Sequence, residues 1–176
     1  MADPRGGAMN WILKALGPEL LTPGLVSRLR LQELIRDSDV VEIELSRMMQ
    51  GLDLIQQEEQ IAILVGDGVA YVPELVWEMA HRFPLTDCER ELVLLIRLME
   101  ARRRWRFLTE PGFYVESELE DWDVNGDYDD LRFSTPPPKG QRRRAMDGYV
   151  ARLDARVQQR VDELKNETRS SGCPDS

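Results

Sequence analysis

Apolar positions along this chain recur at spacings of three and four, the period of helices laid on a core. A first short stretch, residues 11–16, can be capped by Asn10 and stops at Gly17-Pro18. Thr22-Pro23 reads as a cap followed by proline at the first helical position, and the run behind it aligns Leu25, Leu29 and Ile35. Ser38 is placed to cap the next helix. Val41, Leu45 and Met48 form its predicted inward stripe, and Gly51 its stop. Further helices are expected over 54–65 and over 74–83, the second bracketed by Pro73 and Pro84. Thr86 and Glu89 have capping-box spacing and open the longest candidate, residues 87–108. Its middle, residues 92–96, is apolar all round, so it is expected to sit among other helices.

One stretch supports two readings. Residues 61–65 and 69–72 are rich in β-branched side chains and flank Gly66-Asp67-Gly68, which fits a small β-hairpin near 60–72. The same residues also fit a helix that reaches Val65 and stops at glycine, and Gln56 to Gln60 favour a helix just upstream.

The pattern changes after residue 108. Residues 110–131 hold nine acidic side chains and no Lys or Arg, and read as irregular. Pro136-Pro137-Pro138 makes a stiff linker, followed by a basic cluster of Lys139, Arg142, Arg143 and Arg144. A last helix, 145–167, repeats Met146, Val150, Leu153, Val157, Val161 and Leu164 at three and four, fit to dock on the bundle or to self-associate. The expected fold is mainly α. A compact bundle of five to six short helices surrounds a central apolar helix, followed by the acidic irregular segment and the C-terminal helix. The expected divisions are a flexible leader (1–8), the bundle (9–108), the acidic-aromatic segment with linker and basic cluster (109–144), the amphipathic helix (145–167) and a disordered tail (168–176).

The net charge of −9 argues against general nucleic-acid binding, because phosphate contacts need a basic surface. It also disfavours anionic membranes, and no apolar run approaches the roughly 20 residues a span requires. Cys88 and Cys173 do not make a disulfide framework. The expected setting is therefore cytoplasmic, or nuclear in view of the basic run at 139–144, which resembles a nuclear localisation patch.

Catalytic chemistry is thinly supplied. His81 is the one imidazole, and no phosphate loop, dinucleotide fingerprint or zinc-ligand spacing is present. The sharpest local pattern is residues 121–132, which resembles the calcium loop of EF-hand proteins. Asp121, Asp123 and Asn125 stand at its first, third and fifth positions, Gly126 at its sixth, Asp127 at its seventh and Asp129 at its ninth. That resemblance implies calcium as a ligand. Arg132 stands at the twelfth position, where the family carries a bidentate glutamate.

Two further groups are candidate partner-binding residues. Arg102, Arg103, Arg104 and Arg106 crowd one helix end, where cations complement the helix dipole or could hold an acidic partner. The acidic stretch could fold back over them. Phe113, Tyr114, Trp122 and Tyr128 interleave with the carboxylates, which suits a segment that orders on a basic, apolar surface. Thr135-Pro136 is a minimal site for proline-directed phosphorylation. The function expected from these features is a non-enzymatic interaction or adaptor module. A calcium-responsive regulator and a carboxylate-based enzyme are the alternatives.

Overall fold

The computed structural model describes residues 8–123, 125–132 and 142–171. The expected leader, Phe133, Thr135-Pro136, the triple proline, Lys139 and Cys173 lie outside these, apart from the leader's last residue, Ala8. The protein is mainly α-helical. Eight helices are described: α1 (Ala8–Leu16), α2 (Pro23–Leu31), α3 (Asp37–Met49), α4 (Gln56–Ala62), α5 (Val72–Arg82), α6 (Asp87–Arg103), α7 (Pro111–Trp122) and α8 (Arg142–Ser171). Four short 3-10 turns join them, and no strand occurs among the described residues. None of the described helices is long and apolar enough to cross a membrane.

The chain divides into two units, one holding residues up to 89 together with 168–171, the other residues 90–167. The division falls within α6, whereas the pattern had suggested one bundle running to residue 108.

In the first unit α2 packs on α5, α3 on α4 and α4 on α5, with α1 against α3. Leu16, Leu21, Leu25, Leu29, Ile43 and Met79 are fully buried. The caps are local. Thr22 Oγ1 accepts from the Leu25 amide at 3.3 Å, and Pro23 opens α2. The Thr86–Glu89 capping box is present: the Glu89 carboxylate accepts from the Thr86 amide at 2.7 Å, and Thr86 Oγ1 accepts from the Glu89 amide at 3.2 Å. The Thr22 hydroxyl also donates to Glu89, so one carboxylate ties two helix starts together. Gly24 packs closely beside this knot. A Cβ there would stand 3.1 Å from both Glu89 Oε1 and the Phe83 carbonyl.

The ambiguous stretch resolves as helical. Glu58 Oε2 accepts from the Ile55 amide at 2.8 Å and starts α4, which buries Ile61 and Ala62. Gly66, at φ 56°, leads into the 3-10 turn Gly66–Tyr71. Ile63 and Val65 are left in water, and a lone two-stranded hairpin would have given them no core either.

In the second unit the apolar run of α6 is buried throughout, from Leu92 to Ile96. Val115 and Leu119 of α7, Tyr128 and Leu131 of the following loop, and Tyr149, Leu153, Val157, Val161 and Leu164 of α8 fill this core with it. The acidic stretch is thus not irregular throughout. Pro111 at the first turn and the stripe Val115, Leu119, Trp122 make α7, a period hidden in the sequence by the density of carboxylates. The last helix is longer than its stripe suggested and extends to Ser171.

Candidate functional site

Helix α3 is turned opposite to the orientation its apolar pattern predicted. The stripe Val41, Leu45, Met48 was expected inward. The structure instead buries Val40, Ile43, Glu44 and Arg47, and exposes Leu45 (42%), Met48 (36%) and Met49 (81%), with Val41 half-buried. The reason is a polar knot inside the first unit. Arg47 Nη1 donates to the Glu58 carboxylate of α4 and lies 3.5 Å from Glu44 Oε2. Glu44 and Glu58 are both completely out of water. An unpaired buried charge costs several kcal/mol, so keeping Arg47 against Glu58, together with burying Val40 and Ile43, favours turning this face of α3 inward. The helix then carries Leu45, Met48 and Met49 on the solvent side, with half-buried Val41 at the edge of that stripe.

Burial, followed by the neighbouring Glu58 carboxylate, pushes the Glu44 carboxyl up to about 8, against the opposing charge of Arg47. Burial therefore favours the protonated form of Glu44 beside the Arg47–Glu58 ion pair. A carboxyl tuned to that range suits proton transfer. Glu44 and Glu58, however, have no exposed surface.

The arginines at the end of α6 are placed differently from one another. Arg102 Nε holds Asp154 of α8 at 2.8 and 3.0 Å, and Arg103 Nη1 stands 3.5 Å from Glu100. Arg104 and Arg106 face water. The acidic stretch folds back chiefly over other cations. Arg97 Nη1 donates to both Glu118 oxygens at 3.0 Å and its guanidinium lies 5.6 Å from the Trp122 ring. Arg156 donates to the Asp127 carbonyl at 2.9 Å and lies 5.2 Å from the Tyr128 ring.

Of the interleaved aromatics, only Phe113 is largely exposed, at 70%. Tyr114 and Trp122 are half-buried, and burial pushes the Tyr114 hydroxyl up, with the Glu118 charge adding to it. Tyr128 is buried and its hydroxyl donates to Glu91 Oε1 at 2.7 Å. Arg160 of α8 holds the same carboxylate at 2.7 and 2.9 Å. The apolar stripe of α8 is spent on this core, with Tyr149 in place of Val150 at its buried start.

The calcium-loop residues serve the backbone and each other. Asp123 Oδ1 accepts from the Asp127 amide at 2.9 Å and Oδ2 from the Tyr128 amide at 3.1 Å. Asp129 is held by Arg132 at 2.7 Å, so the residue at the twelfth position engages the ninth. Asp121, Asn125 and Asp127 are exposed. Among the described residues no three His, Cys, Asp or Glu side chains gather as a metal site would require. His81 is exposed, donates from Nδ1 to the Trp77 carbonyl at 2.8 Å and lies against the Trp77 ring, with centroids 3.8 Å apart and the ring planes tilted by 41°.

The α3 face and its polar knot were missed in the sequence. The one available signal was that Glu44, Arg47 and Glu58 share the i, i+3 and cross-helix spacing of a charge cluster. Comparison with family models, curated proteins and solved structures finds no match to this chain.

Proposed function

We propose that the protein is a non-enzymatic interaction module whose contact surface is the outward face of α3. The observation that carries this reading is the inversion of α3. A helix that turns Glu44 and Arg47 inward and leaves Leu45, Met48 and Met49 in water keeps apolar area where a partner can cover it. Two adjacent methionines suit such a surface, because their unbranched, polarisable side chains adapt to the shape set against them. The acidic-aromatic stretch, by contrast, spends Tyr128, Glu118 and Asp123 on its own unit, so it supports the module more than it offers a surface. A cytoplasmic or nuclear setting fits this reading.

The test is a comparative capture. The full chain and its Leu45→Glu/Met49→Glu variant are used as bait under the same conditions, with helix content of both checked by circular dichroism. A partner held by the natural chain and lost by the variant supports the reading. Identical sets of captured proteins would sink it.

A further inference from the structure

Resting on the reading of α3 as a contact surface, we infer that its occupant is a cationic amphipathic helix of a partner protein. The argument is charge complementarity around an apolar stripe. From residue 37 to residue 80 the chain carries ten carboxylates and one basic residue, Arg47. Arg47 is buried and committed to Glu58. Six of the carboxylates are exposed: Glu42, Asp53, Glu59, Asp67, Glu74 and Glu78. Glu42 stands i, i+3 from Leu45 and i, i+7 from Met49, so it borders the stripe along α3 itself. Asp53 follows the end of that helix, and Glu59 lies on α4, which packs against α3. Of the basic residues just upstream, Arg30 is paired with Asp37 at 2.6 Å and Arg36 with Asp39 at 3.4 Å, while Arg28 is exposed.

The stripe from Val41 to Met49 covers two turns, about 12 Å of helix. An occupant that presents apolar residues at i, i+3 or i+4, and i+7 matches that length, and flanking Lys or Arg meets the carboxylates. A second copy of this chain fits poorly, because a two-fold contact through α3 would set Glu42 and its neighbours against their own equivalents. An anionic lipid surface is repelled for the same reason.

The experiment is fluorescence anisotropy with a labelled peptide of about 18 residues, five helical turns, made of leucine and lysine with leucines at helical spacing. A leucine–glutamate peptide of the same pattern is the counterpart, and the full chain is titrated into each. The leucine–lysine peptide is expected to bind, with affinity falling about tenfold or more in the Leu45→Glu/Met49→Glu variant. Both substitutions add negative charge, so attraction to a merely acidic protein would hold or tighten. Unchanged or tighter binding to the variant therefore overturns the inference. Met49→Glu alone, at a position 81% exposed, keeps the test valid should the double variant fold poorly.

If only the leucine–glutamate peptide binds, or if only self-association of the full chain depends on Leu45 and Met49, the charge argument fails while the contact surface stands. If neither peptide binds and self-association ignores both residues, while the comparative capture also shows no difference, both the inference and the reading beneath it fail.

Discussion

Arg47 donates to Glu58 across eleven positions of sequence, with Glu58 fully out of water and Arg47 nearly so. Replacing Arg47 with methionine leaves the Glu58 carboxyl group buried without its partner. The expected loss is about 3–5 kcal/mol in urea unfolding. Adding Glu58→Gln to Arg47→Met should recover part of it, because the unpartnered carboxyl group is then gone. A loss below about 1 kcal/mol would mean that water reaches the knot.

Glu44 makes stability depend on pH in a defined direction. Its folded-state value near 8 stands above the ordinary 4.5, so the folded chain binds more protons than the unfolded chain between the two. Stability contributed by this group is full below about 4.5 and falls as pH rises to about 8. The slope is on the order of 1 kcal/mol per pH unit. Glu44→Gln cannot ionise and should remove this slope. Thermal unfolding of both proteins from pH 5 to pH 8 checks it, and parallel curves would count against a protonated Glu44.

Tyr128→Phe removes a hydroxyl that donates to Glu91 beneath Arg160. A hydrogen bond to an ionised group of this kind is worth about 1–2 kcal/mol. Burial raises the Glu91 carboxyl, but hydrogen bonds from Arg160 and Tyr128 outweigh it and hold it below its ordinary value. Its contribution is therefore present above the ordinary carboxylate range and lost as pH falls. The deficit of Tyr128→Phe should be largest at neutral pH and shrink on acidification. A deficit that stays constant with pH would assign it to packing alone.

Calcium should leave the intrinsic tryptophan emission unchanged, even though Trp122 borders the loop that resembles an EF-hand site. Asp123 already accepts from two backbone amides and Asp129 already holds Arg132, so a cation would compete with those contacts. A saturable emission change at millimolar calcium would show that the cation wins that competition.

Much of the α-helical content was legible without coordinates, because its signals act over three or four residues. The Thr22-Pro23 start, the Thr86–Glu89 box and the Gly51 stop need only neighbouring atoms; Gly51 sits at φ 71°, where glycine has no side-chain penalty. The buried run of α6 was legible too, since a helix apolar on every side has nowhere else to go. The face of α3 was not. Its apolar period pointed Leu45 and Met48 inward, whereas the folded helix buries Val40 and Ile43 together with Glu44 and Arg47, which meet Glu58. Likewise α7 hid under its carboxylates until Arg97 and α6 supplied their partners. Periodicity along a chain reports which residues share a face, but which face is buried depends on charges brought together from distant positions, and those meet only in the folded protein.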